Sequence, residues 1–160
     1  MKELTENEAL GKVAAYCSVA EHCVSEIVAK LESWNMAGEA VERIIERLIK
    51  EKYIDEIRYC RCFVKDKLRF NKWGKVKIGL ALRQKQIPSE VIALSLDAID
   101  EDEYQRILLE LIAAKRKSVK AKSDYELNGK LIRFALGRGF DMDTVQCCLK
   151  QLGSDIELDY

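Results

Sequence analysis

Between Lys65 and Lys85 the basic residues Lys65, Lys67, Arg69, Lys72, Lys75, Lys77, Arg83 and Lys85 face a single acid, Asp66. Phe70 and Trp73 stand among them. A second run, Lys115, Arg116, Lys117, Lys120 and Lys122, has no acid between its members. Cations interleaved with aromatic rings suit phosphates and bases, because the charges displace counterions while a ring stacks. They suit an acidic groove on a protein equally well. The plain alternative is a solvated helix face, the usual fate of a charge run. The whole chain carries 27 basic and 27 acidic residues for a formal net charge of +0, so broad coating of a polyanion is not implied and any anion-binding surface must be local.

Other chemistries find little support. The six cysteines are Cys17, Cys23, Cys60, Cys62, Cys147 and Cys148, with no Cys-x-x-Cys pair, and His22 is the only histidine. A two-Cys, two-His zinc site therefore cannot be completed, and adjacent cysteines on a helix point different ways. Thiols packed in the core are expected instead, since cysteine is among the most buried residue types. His22 and Cys23 are sequence neighbours that would diverge on a helix, which argues against a base and nucleophile pair. Asp97, Asp100, Glu101, Asp102 and Glu103 sit where a helix would start, and negative charge there suits the helix dipole. They lack the spaced loop and glycine of a calcium site. Gly137-Arg138-Gly139 reads as a helix end, not as a phosphate-binding loop. No catalytic set emerges, and no enzyme activity, cofactor or metal is expected. Trp34 and Trp73 are expected as packing anchors, with surface contact as the alternative.

The elements that carry these residues are helical. Of 160 residues 48% are hydrophobic and one is proline. Apolar positions recur at intervals of three and four, as in Val41, Ile44, Ile45, Leu48 and Ile49, which is the stripe of an amphipathic helix. The pattern predicts an all-α chain with helices near 6–21, 24–34, 38–51, 55–69, 74–85, 88–98, 101–117, 124–137 and 142–152, then an acidic, frayed tail. Met1 to Gly11 lacks the apolar core of a signal peptide. No apolar run approaches the roughly 20 residues of a membrane span. A cytoplasmic protein that contacts no membrane is the expectation.

An internal repeat is the strongest signal. Ile27, Leu31, Met36, Val41, Ile45 and Leu48 map onto Ile78, Leu82, Ile87, Ile92, Leu96 and Ile99, and then onto Leu131, Ala135, Phe140, Val145, Leu149 and Leu152. The register crosses a turn each time, which a single helical period would not produce. Such repeats stack, each burying a face on its neighbours. Asn35, Gln86 and Gly139 precede the turn's apolar residue, at the place where a helix ends on a left-handed residue. Gln86 is the poor fit there, and Pro88 can open the next helix.

These residues resemble the RecX family of recombinase regulators. Val24-Ser25-Glu26-Ile27-x-x-Lys30-Leu31 is similar to its first repeat. Trp73-Gly74-Lys75-x-Lys77-Ile78-x-x-x-Leu82-Arg83-x-Lys85-Gln86-Ile87 is similar to its basic second repeat. Lys130-Leu131-x-Arg133-x-x-x-x-Arg138-Gly139-Phe140 is similar to its C-terminal repeat, and Tyr53-Ile54-Asp55-Glu56 to its first link. Two departures stand out: Glu21-His22-Cys23 where the family carries more arginine, and Gln86 where glycine is usual. The resemblance implies three tandem three-helix repeats, at 1–52, 53–99 and 100–153, in an extended, curved array ahead of a tail at 154–160. It implies binding in the groove of the RecA filament, with DNA inside that filament as a further contact; a monomer is expected. Filament growth, ATP hydrolysis and strand exchange would fall, which places the chain in DNA repair, recombination and the SOS response. The working surface would be the basic second repeat together with Arg133, Arg138 and the 115–122 cluster. Two rival readings are a helical module that binds nucleic acid directly and a scaffold for some other protein.

The implied array makes a prediction about size. A compact domain of this length has a radius of gyration of about 15 Å. Small-angle scattering of the monomer should give a clearly larger value, and a value at the compact limit would reject the extended arrangement.

Overall fold

The chain is seen in a computed structural model that describes residues 3–158; residues 1–2 and 159–160, and the side chains from 154 onward, lie outside the described residues. Among those residues it is all-α. The helices are α1 (Glu6–Val19), α2 (Val24–Ser33), α3 (Gly38–Lys50), α4 (Glu56–Arg69), α5 (Lys75–Gln84), α6 (Ser89–Asp97), α7 (Glu101–Ser118), α8 (Asp124–Gly137) and α9 (Met142–Leu158). Boundaries follow the periodic pattern to within about two residues except at the end. There α9 continues past Leu152 to Leu158, through most of the segment expected as a frayed tail, whose last residues, Asp159 and Tyr160, are outside the described residues.

Polar side chains cap the starts of α1, α4 and α8. The Thr5 hydroxyl accepts from Glu8 N at 3.1 Å, Asp55 Oδ1 from Arg58 N at 3.1 Å, and Ser123 Oγ from Glu126 N at 3.1 Å. Each satisfies one of the amides that a helix start leaves without a partner.

The three turns of the repeat end their first helices in one way. Asn35, Gln86 and Gly139 have φ of 60°, 62° and 93°. In each turn the next amide reaches back five residues: Met36 N to Leu31 O at 3.2 Å, Ile87 N to Leu82 O at 3.3 Å, Phe140 N to Ala135 O at 3.2 Å. The left-handed residue itself donates three residues back, at 2.9, 2.9 and 3.0 Å. This is the Schellman arrangement, which satisfies the last carbonyls and turns the apolar residue back onto the helix. Gln86 thus adopts the conformation in spite of its Cβ.

By packing, the chain divides into two units: residues 1–63 with 82–95, and 64–81 with 96–160. In the first, α1 and α2 pack on α3 around Val13, Ile27, Leu31, Ile44, Leu48 and Ile54. In the second, α7, α8 and α9 pack on one another, with Tyr104, Leu108, Ile112, Leu131, Phe140 and Val145 buried. The rings of Tyr104 and Phe140 meet at 5.2 Å between centroids. Burying each such side chain is worth about 1.5–3 kcal/mol, and the repeat positions Ile27, Leu31, Leu48, Leu131, Phe140 and Val145 are among those buried.

The cysteine expectation needs a correction. Cys17, Cys23, Cys60 and Cys148 are buried, but Cys62 and Cys147 are exposed. Consecutive helix positions are rotated by roughly 100°, so Cys147 cannot follow Cys148 into the core. Burial pushes the Cys60 and Cys148 thiols up to about 11, which keeps them protonated and unreactive near neutrality.

The left-handed Gln86 sets up a stability test. L-residues there cost roughly 1–2 kcal/mol against glycine's freedom, partly offset by glycine's larger unfolded-state entropy. Gln86→Gly should raise stability by about 0.5–1 kcal/mol and the melting temperature by roughly 2 °C. A lower melting temperature would contradict the cap assignment.

Candidate partner-binding face

The basic residues expected to act are all at least partly exposed. In the second unit Lys65, Lys67 and Arg69 lie on α4, Lys72 and Trp73 in the loop after it, and Lys75 and Lys77 on α5. Lys115, Arg116 and Lys117 close α7, Lys120 follows it, Arg133 is on α8 and Arg138 caps α8. Arg83 and Lys85 fall in the first unit.

Trp73 organises the first cluster. The Lys67 ammonium lies 4.8 Å and the Lys77 ammonium 4.6 Å from its ring centroid, within range of cation–π attraction. One ring thus gathers two charges that the chain separates by ten positions. Lys72 takes a left-handed φ of 57° at the loop. Trp73 N donates back to Lys67 O at 3.0 Å and closes the turn.

The loop and the start of α5 are pinned to the turn between α8 and α9. Gly74 N donates to Arg138 O at 2.8 Å and Val76 N to Gly139 O at 2.9 Å. The Arg138 guanidinium donates to Asn71 O at 2.9 Å. Lys75 N donates to the Tyr104 hydroxyl at 2.9 Å, which in turn donates to Asp141 Oδ1 at 3.3 Å. Three amides at the start of α5, which no helix carbonyl can reach, are satisfied this way. A Cβ on Gly74 would strike the backbone of Gly139 and Phe140, and one on Gly139 would strike Lys77. Burial works to raise Asp141, but hydrogen bonds from Thr144 and Tyr104 outweigh it and hold the carboxyl below its ordinary range. Burial is also the main cause that raises the Tyr104 hydroxyl, so it stays a neutral donor.

Part of the expected positive charge is answered from within. Arg69 makes two hydrogen bonds to Glu103, at 2.8 and 3.3 Å, and Lys75 pairs with Glu101 at 3.2 Å. In the first unit Lys85 pairs with Glu26 at 3.4 Å. The Arg69 hydrogen bond holds Glu103 below the usual carboxylate range. Among the described residues Lys72, Lys77, Arg116, Lys117, Lys120 and Arg133 form no ion pair. In the second cluster Lys115 sits 5.2 Å from the Phe134 centroid, and Lys130 Nζ donates to Lys120 O at 2.7 Å.

Sequence reasoning passed over Tyr104, Asp141 and Asn71, and read the acids of α7 as dipole partners alone. Asp100 does cap the helix, accepting from Asp102 N at 3.3 Å, but Glu101 and Glu103 reach the basic face. Two glycines inside two basic motifs were the one available sign that those motifs touch.

Models of the second and third three-helix domains of RecX match residues 55–96 and 101–149. The chain belongs to the RecX family. The regulatory protein RecX of Prosthecochloris aestuarii is 29% identical over 153 residues, covering 95% of this chain and 98% of that protein. That of Clostridium botulinum, strain Alaska E43, is 33% identical over 115 residues, covering 71% of this chain and 53% of that protein. That of Lactobacillus johnsonii is 27% identical and covers 94% of this chain and 56% of that protein. This chain therefore spans nearly all of the first relative and little more than half of the other two. A crystal structure of RecX from Lactobacillus salivarius superposes with a TM-score of 0.84 at 21% identity, covering 92% and 96% of the two chains. Another, of a regulatory protein RecX, gives 0.83 over 91% of this chain and 73% of that one. At such identity these structures bear on the fold alone. The RecX second-domain match covers the loop of Lys72 and Trp73 together with α5, and the third-domain match covers the turn that holds them. No helix among the described residues is long and apolar enough to cross a membrane.

The glycine contact gives a graded test. Gly74→Ala and Gly139→Ala each force backbone apart and should cost roughly 2–3 kcal/mol. Gly137→Ala meets nothing within 4 Å and should be neutral or stabilising by up to about 1 kcal/mol. Equal melting temperatures for the three variants would mean that α5 is not held by this turn.

Proposed function

We propose that this chain regulates a RecA-type recombinase, mainly as an inhibitor, by binding in the groove of the RecA–DNA filament and not by catalysis. The observation that carries this is the basic face around Trp73, in a chain of a regulatory family. Lys67 and Lys77 meet on the Trp73 ring, next to Lys72, in a loop joined to the α8–α9 turn by main-chain hydrogen bonds. A preorganised loop loses little conformational freedom on docking, which favours binding. Occupying the groove would hinder filament growth, ATP hydrolysis and strand exchange. On this reading the chain acts in the cytoplasm as a monomer, with repeats at 1–52, 53–99 and 100–153, and Arg83, Arg133, Arg138 and the 115–122 cluster extend the surface.

Direct binding to a nucleic acid strand is the second reading. It is favoured by Phe70 and Tyr125, which are 81% and 90% exposed beside the two basic clusters, since exposed rings can stack on bases.

Single rim charges contribute little, so one substitution should be nearly silent. Changing Lys72, Lys75, Lys77 and Arg83 together to Ala should leave the helical circular dichroism intact. Inhibition of recombinase ATPase on single-stranded DNA should weaken by about tenfold or more, a loss of about 1.4 kcal/mol in binding, and its salt dependence should flatten. A folded quadruple variant that inhibits fully would remove this face from the mechanism. Salt-sensitive binding of the unmodified chain to naked DNA, without any effect on the filament, would favour the second reading.

A further inference from the structure

The link between α3 and α4, Tyr53-Ile54-Asp55-Glu56, holds one residue that neither the fold nor the basic face accounts for. Ile54 is buried in the core of the first unit. Asp55 caps α4 through its Oδ1, which accepts from Arg58 N at 3.1 Å. The Arg58 guanidinium donates to the carbonyls of Lys52 and Tyr53 at 3.1 and 3.4 Å and so ties down the link. Glu56 takes no part in this. Its Oε2 is closed off from solvent and has no hydrogen-bond partner among the described residues. Burial raises its carboxyl above the ordinary carboxylate range, and no cation of the chain opposes that shift.

The dipole of α4 favours a negative charge in its first turn, but it would favour one in full solvent as well. An enclosed carboxylate oxygen without a partner is destabilising, and such groups are uncommon enough to need a cause. Since the chain supplies no cation from the protein side, the charge of Glu56 can be answered only from the groove that it lines.

That groove lies within the first unit and has a volume of about 400 Å³, in the range of small-ligand sites. Its walls are Ile49 near the end of α3, Ile54 and Asp55 in the link, Glu56 and Ile57 in the first turn of α4, and Pro88 in the α5–α6 turn. Ile49 and Ile57 are half-exposed. The chemistry of this lining is selective. No lining side chain can donate a hydrogen bond, so phosphates and carboxylates find no partner. No ring is present for an aromatic ligand to stack on. Aliphatic walls favour methylene groups, and a carboxylate favours an ammonium.

We propose that this groove binds a linear aliphatic amine, a diamine or polyamine, with its methylene chain along Ile49, Ile57 and Pro88 and one ammonium on the Glu56 carboxylate. Asp55 adds negative potential at the same end. The site is separate from the basic face and stands whether or not the chain acts on a recombinase filament.

The test titrates hexamethylenediamine into the full chain and follows the backbone amides by NMR. Saturable shifts are expected at Ile49, Glu56, Ile57 and Ser89, with a dissociation constant on the order of 1 mM or tighter. Hexanol has the same chain length and no charge, and should bind about tenfold more weakly or not at all. Glu56→Gln should keep the helical spectrum and lose about tenfold or more in affinity for the diamine. If that variant fails to fold, Ile57→Ser, at a half-exposed position, should weaken diamine binding by about threefold. The absence of saturable shifts overturns the proposal. Equal binding of hexanol, or undiminished binding by Glu56→Gln or by Ile57→Ser, overturns it as well. Shifts of the same size at the acids that start α7 would show general screening of negative charge by a dication, and would also overturn it.

Discussion

The backbone of Gly74 lies directly against the backbone of Gly139 and Phe140, and the second unit is arranged around that approach. No side chain fits between these segments. Because the backbones meet, Gly74 N and Val76 N find carbonyl partners in the α8–α9 turn. Gly139 is free to serve twice: its left-handed φ of 93° ends α8, and its carbonyl accepts from α5. Tyr104 and Asp141 complete the arrangement from below, with Tyr104 bridging the start of α5 to the start of α9. The basic loop is therefore fixed by main-chain hydrogen bonds, which do not depend on the long side chains that would meet a partner.

The same arrangement explains how a chain with no net charge keeps a directed electrostatic surface. The acids at the start of α7 do more than favour its dipole. Glu101 and Glu103 neutralise Lys75 and Arg69, while Lys67 and Lys77 are drawn onto the Trp73 ring. The face is narrower and more focused than a count of lysines suggests.

The turn is the unit that repeats, more faithfully than the residues that fill it. Asn35 and Gln86 carry carboxamides of different length and Gly139 has no side chain, yet the three share a positive φ and the same two backward hydrogen bonds. The apolar residues around each turn supply the reason. Leu31, Leu82 and Ala135 are buried at the helix ends, and the chain must reverse there for Met36, Ile87 and Phe140 to pack back. Burial dictates the turn, and the side chain at its left-handed position tolerates what glycine would have adopted freely.

The sequence by itself determined the helices, their order and the repeat register, because these follow from local periodicity and from the types of residue at caps and turns. It also marked Trp73 and the lysines around it as the candidate face. It did not determine which charges remain available, since Arg69 meets Glu103 and Lys75 meets Glu101 across intervals set by packing and not by sequence spacing. Nor did residue type separate Cys62 and Cys147 from the four buried thiols, because a cysteine suits a core wherever it stands and only its place relative to the apolar stripe decides whether it is buried. The Tyr104 hydroxyl, the Asp141 carboxylate and the Gly74–Gly139 approach were decided only in the tertiary structure. They join residues some thirty to sixty-five positions apart, and a contact at that range exists only once the apolar faces between have been buried.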